Sequence, residues 1–299
     1  MDTTPRPRPA GMGIPLGRGH SLRLFNRPGR KLGAPALTRL LSDLREIADR
    51  CVPSGGLRYG VLSGERARMD RAVIAVIYDG ARRPVGFNAM SWLDVELQGE
   101  PVRVLHAGLC MIVPGSRRGG LLGLMSAVPA LLAFAANRFA PLWVTNVTQV
   151  PAVAGLFAES VGNVYPAPGR CRPPSAEHRR IAEQLLERHR QVFGVGADAE
   201  FDAERFIIRN SYTGGSDELK KSYEQAGKHR DPRFNRLCRE VLDYRRGDDL
   251  LQVGRLTLGV VASLVATCAV RIGKRTARAL QPTHAPLSPS LGAKKGAVR

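Results

Sequence analysis

Apolar residues recur along this chain with two periods, and each change of period marks an element. Leu37, Leu40, Leu41, Leu44, Ile47 and Ala48 follow the spacing of one helix face and predict a helix over 35–51. Ala72 to Tyr78 is a short apolar run and predicts a strand. A turn region from Asp79-Gly80 to Pro84 leads into a second strand, Val85 to Leu97. A further turn, Gln98 to Pro101, precedes a third strand over 102–113. An apolar helix then runs from Leu121 to about Asn137, a fourth strand from Leu142 to Val147, and a helix from Pro151 to about Val161. Pro166, Pro168, Pro173 and Pro174 mark a boundary, after which Ala176 to Phe193 reads as a charged helix. Residues 200–250 are mixed, and Leu256 to Val270 is fifteen residues without a charge. That length is short of the roughly 20 residues a bilayer span needs, so it reads as a buried helix or a membrane-surface helix.

These elements predict an α/β (α+β) fold: a mixed, mostly antiparallel sheet flanked by helices, with an added, mainly helical C-terminal region. The expected organisation is a disordered basic tail over 1–20, a domain over 21–170, a mainly helical region over 171–280, and a second basic tail over 281–299.

The stretch Val113-Pro-Gly-Ser-Arg-Arg-Gly-Gly-Leu-Leu-Gly-Leu-Met125 carries the clearest chemistry. It joins a strand to a helix through glycines and two arginines. Glycines let the backbone approach a phosphate closely, and the free N–H groups of a first helical turn point at it. Arg117 and Arg118 add directional, charged donors. The bland alternative is an ordinary helix entry with surface arginines.

Charge adds a second theme. The net charge is +19, of which +6 lies in residues 1–33 and +7 in residues 271–299. Basic ends are solvated tails or contacts for an anionic partner. They lack interleaved aromatics, which makes nucleic acid an unlikely partner. An anionic membrane face reached through residues 256–278 is a further expectation. Cys51, Cys110, Cys171, Cys238 and Cys268 are scattered, with neither metal spacing nor a disulfide framework, which fits a reducing cytoplasm. Cys110 reads as a core thiol. The N-terminal stretch, broken by Pro and Gly, has no signal-peptide pattern.

The order helix, hairpin strands, long strand, Arg/Gly turn, helix, strand, helix resembles the GNAT superfamily of acyl-CoA-dependent N-acyltransferases over residues 35–165. That family's signature has an Arg or Gln, two variable residues, a Gly, one variable residue, then a small residue. Arg117 and Gly120 fill the first two fixed places, and Leu122 stands where the small residue belongs. The resemblance implies acetyl-CoA or another acyl-CoA as co-substrate and no metal. It implies that Arg117, Arg118, Gly119, Gly120 and Leu121 hold the pyrophosphate, and that the backbone of Met111 and Val113 meets the pantetheine arm across a splay from the strand Trp143–Val147. Asn146 is expected on the far side of that splay. Many members protonate the departing thiolate with a Tyr on the last helix; the comparable position here is Phe157.

Transfer to an amine needs a base. His106, mid-strand, is the candidate, with a hydrogen-bonded structural role as its alternative. Asp94 and Glu96, two apart on one strand, share a face and are candidates for binding a cationic acceptor, with an exposed face as the bland reading. Asn146 and Gln149 are candidates for cofactor or substrate amides, and Asn88 less so. The reading is thus an N-acyltransferase acting on a small-molecule or peptide amine. The alternatives are an acyl-CoA-binding module with little transfer and a membrane-associated enzyme with a lipid-linked acceptor. The protein is expected in the cytoplasm or peripherally at the membrane.

Overall fold

The computed structural model describes residues 12–16, 19–52, 55–116, 121–169, 173–264 and 266. In chain order the elements are β1 Met12–Pro15, β2 Ser21–Asn26, α1 Pro28–Lys31, α2 Ala34–Cys51, α3 Arg66–Asp70, β3 Ala72–Tyr78, β4 Pro84–Leu97, β5 Glu100–Ala107, β6 Cys110–Ile112 and α4 Leu121–Ala136. There follow β7 Leu142–Thr148, α5 Pro151–Ser160, β8 Gly162–Tyr165, α6 Ala176–Arg188, β9 Glu200–Asp202, β10 Ile207–Arg209, α7 Pro232–Val241 and β11 Asp249–Leu256. The chain divides into compact units after Val260.

One sheet runs β1-β2-β3-β4-β5-β7-β11-β10-β9, with β6 added to β4 and β8 to β11. The pairs are antiparallel except β5 with β7, which are parallel. This is the expected mostly antiparallel sheet flanked by helices. α2 covers its first half: Leu40, Leu44, Ile47 and Ala48 lie on one helical face and share a core with Ile74, Val76 and Phe87. α6 covers the second half. Ile181, Ala182, Leu185 and Leu186 pack with Leu93, Val104, Trp143, Leu251 and Val253. α6 starts where Ser175 accepts the His178 N–H at 3.3 Å, satisfying one of the free donors of its first turn.

Three expectations change. Residues 12–15 pair with β2, so part of the presumed N-terminal tail is a strand. The expected single strand over 102–113 is two, β5 and β6. The segment after residue 170 supplies strands as well as helices. β11 pairs with β7 over seven residues and brings Leu256, the start of the expected apolar helix, into the sheet, buried. A helix begins only after Thr257, whose Oγ1 accepts the Val260 N–H at 3.4 Å, and it covers 258–264. The rest of the 256–278 expectation and the 281–299 tail lie outside the described residues. Among the described residues no helix is long and apolar enough to cross a membrane.

Candidate functional site

The sheet opens at one place. β5 and β7 pair from Val104↔Trp143 to Ala107↔Asn146 and then separate. The chain breaks at Gly108, where a Cβ would stand 2.4 Å from the Ala89 carbonyl oxygen, so only glycine passes this close to β4. β6 stays with β4 while β7 continues against β11, leaving a gap between β6 and residues 147–149.

The backbone groups that face this gap follow from the ladder. Ala89 N–H donates to Leu109 O at 2.9 Å, and Val113 N–H donates to Val85 O at 3.0 Å. Bonded residues alternate along an antiparallel pair, so Met111 turns its N–H and C=O toward Phe87. Cys110 therefore turns its own toward the gap. This corrects the expectation for Met111 and Val113: the backbone of Val113 is already bonded, its carbonyl accepting the Ser116 N–H at 3.1 Å.

Beyond Val113 the chain turns through Gly115, at φ +89°. Arg117, Arg118, Gly119 and Gly120 lie outside the described residues. α4 follows from Leu121, which is half-buried, with Leu122 exposed.

His106 does not have the surroundings a base needs. It is 2% exposed, with Nδ1 3.0 Å from Thr145 Oγ1 and its ring 4.9 Å from that of Phe193. Burial, aided by the nearby His189, pushes its pKa down to about 3. A base is most effective near the working pH, so this imidazole is a neutral core group. Asp94 and Glu96 lie elsewhere. In register His106 is opposite Ser91 and Asp94 is opposite Arg103, which puts His106 and Asp94 on opposite faces of the sheet. Asp94 is exposed and paired with Arg71 at 2.6 Å. Glu96 is also exposed, while its backbone exchanges two bonds with the Gln184 amide, at 2.9 and 2.7 Å. The pair does share a face, but not with the gap's candidate base.

Asn146 marks the last level at which β7 pairs with β5, and its side chain is engaged. It donates to Gln252 Oε1 at 3.2 Å, and Gln252 donates to Ala154 O at 3.3 Å and Pro166 O at 3.1 Å. This buried network ties β7, β11 and α5 together. Asn88, opposite Cys110, donates to Ser126 Oγ at 3.1 Å. Phe157 is buried on α5 and has no proton to give. Burial pushes the Cys110 thiol up to about 12, which makes it a core thiol and not a nucleophile.

The structure adds a polar group that sequence reasoning missed. Asp249, at the start of β11, is 4% exposed. Ser211 Oγ donates to it at 2.6 Å and Tyr212 OH at 3.0 Å. Burial outweighs these bonds and raises the carboxyl to about 6. Tyr59 and Tyr212 are pushed upward by burial and by the Asp249 charge. The signal available in sequence was a pair of acids, Asp248-Asp249, entering the apolar run Leu250-Leu251.

No known family profile matches the chain, and no curated protein matches its sequence. Solved structures do resemble it. An acetyltransferase from Vibrio fischeri is 12% identical, covering 41% of this chain and 93% of its own, at a TM-score of 0.28. A GNAT family N-acetyltransferase from Escherichia coli, solved in complex with CoA, is 16% identical, covering 51% of this chain and 71% of its own, at 0.33. A probable N-acyltransferase from Enterococcus faecalis is 9% identical, covering 57% and 44%, at 0.34.

Proposed function

We propose that this chain is an acyl-CoA-dependent N-acyltransferase that moves an acetyl or other acyl group to an amine by direct attack. The gap between β6 and the end of β7 carries this reading. Cys110 turns its N–H and C=O toward it, since Met111 is the bonded partner of Phe87, and backbone groups inside a protein need partners. An amide-bearing chain such as pantetheine fits that edge as an added strand would. Acyl-CoA would supply the activated acyl group as a thioester.

The chain's own contributions follow from position. Cys110 would align the arm along β6. The run Arg117 to Gly120, between a turn and the start of α4, has the residue types that hold a pyrophosphate. His106, neutral and covered, supports the strands and takes no proton from the acceptor. Phe157 favours a second reading, an acyl-CoA-binding domain with little transfer, because it has no hydroxyl where many GNAT members carry an acid.

Calorimetric titration of the full chain with acetyl-CoA and longer acyl-CoAs tests the proposal. The parent should bind, and the Arg117→Ala/Gly120→Asp variant should lose affinity by about tenfold or more, roughly 1.4 kcal/mol. Folded parent protein that binds no acyl-CoA overturns it. Binding without thiol release against an amine panel leaves the second reading.

A further inference from the structure

Two buried acceptors stand at one level beside the strand gap. Leu250 is the register partner of Thr148, so Asp249 and Gln149 follow at the same level of β11 and β7. Both are buried, Gln149 at 1% exposure. Gln149 Nε2 donates to Leu219 O at 3.1 Å. A carbonyl only accepts, so this bond fixes the amide's orientation and leaves Oε1 as an acceptor. Among the described residues Oε1 has no partner. Asp249 receives two hydroxyl donors, fewer than its oxygens can accept, and no described basic side chain pairs with it. The neighbouring Arg246 is directed at Asp248, at 2.7 and 2.6 Å.

A buried carboxylate without a cation and a buried carbonyl without a donor together lack N–H groups and one positive charge. An alkylammonium supplies both: three N–H donors and a unit charge. A neutral alcohol supplies one donor and no charge. A metal ion suits the pair less well, because Ser211 and Tyr212 already turn hydroxyl protons at the carboxylate. Nearby, the Tyr244 hydroxyl donates to the Gln149 backbone oxygen at 2.8 Å and holds that residue in place.

We propose that Asp249 and Gln149 form an alkylammonium-binding subsite, with one N–H donated to the Asp249 carboxylate and another to Gln149 Oε1. This rests on the acyltransferase reading for its biological use, since it makes the acceptor a primary aliphatic amine. The binding claim stands on these residues alone. Asp249 holds the cation, and Gln149, anchored by Leu219, sets the direction of its approach.

The test is ligand-observed NMR on the full chain, with n-butylammonium and n-butanol as paired probes, and acetyl-CoA titrated separately. The parent should bind the ammonium about tenfold or more tightly than the alcohol. Asp249→Asn should abolish that preference with acetyl-CoA affinity unchanged, and Gln149→Met should weaken the preference. Equal binding of the two probes by the parent overturns the proposal, as does a preference that persists in Asp249→Asn. The parent comparison decides the matter even where a variant fails to fold. Ammonium binding without acetyl-CoA binding upholds the subsite and sinks the acyltransferase reading; the reverse sinks the subsite alone.

Discussion

His106 Nδ1 lies 3.0 Å from Thr145 Oγ1 and bridges β5 and β7, the only parallel strand pair among the described residues. One level further on, after Ala107↔Asn146, the two strands part. The contact therefore sits at the closed end of the gap, and its role is to hold that end shut. A charged imidazole there would be buried, with no acidic partner among the described residues.

Two buried groups give stability opposite dependences on pH. His106 titrates at about 3 when folded, against the ordinary 6.5 when unfolded. The unfolded chain then binds more protons between those values, so stability falls as pH drops through that window. Asp249 titrates at about 6 when folded, against 3.8. The folded chain then binds more protons, so its contribution falls as pH rises from about 4 to 6. The slope for either group approaches about 1.4 kcal/mol per pH unit. Urea unfolding from pH 4 to 8 should show His106→Gln flattening the acid side and Asp249→Asn gaining stability toward neutrality. Parallel curves for parent and variants would contradict both assignments.

Gly108→Ala should be costly in two ways. Its Cβ would meet the Ala89 carbonyl at 2.4 Å, and a backbone oxygen cannot swing aside as a side-chain tip can. Shifting β6 away from β4 should cost about 1–3 kcal/mol, read as a lowered denaturation midpoint. The same shift should weaken acetyl-CoA binding, because it moves Cys110. A variant as stable as the parent would show that the strand break needs no glycine.

Gln252→Leu should destabilise out of proportion to its volume. It removes three hydrogen bonds and leaves Asn146 Nδ2 and Pro166 O without the partner that Gln252 gave them, while Ala154 O keeps its helical bond. Each buried orphan costs about 1–3 kcal/mol. Chemical denaturation should show the loss, and Asn146→Leu added to Gln252→Leu should restore part of it by removing one orphan. Strict additivity of the two changes would mean that the amides do not act together.

Sequence by itself determined the elements whose apolar period is long and clean. The helix at 34–51, the strand at 72–78 and the long second hairpin arm were legible because each buries one face or both along its whole length. The turn after Val113 and the helix from Leu121 were legible for a local reason as well, since proline and glycine punctuate the chain where they stand. Tertiary structure alone decided what depends on pairing between distant segments. β11 enters the sheet between β7 and β10, which no local period announces, and in doing so sets Asp249 beside Gln149. Gly108 splits a single apolar run into β5 and β6, and the resulting one-residue shift hands the gap to Cys110 in place of Met111 and Val113. His106 and Asp94 look alike as strand residues near a loop. Only the register of β4 against β5 places them on opposite faces, because side-chain direction in a strand has a period of two and is fixed by the partner strand.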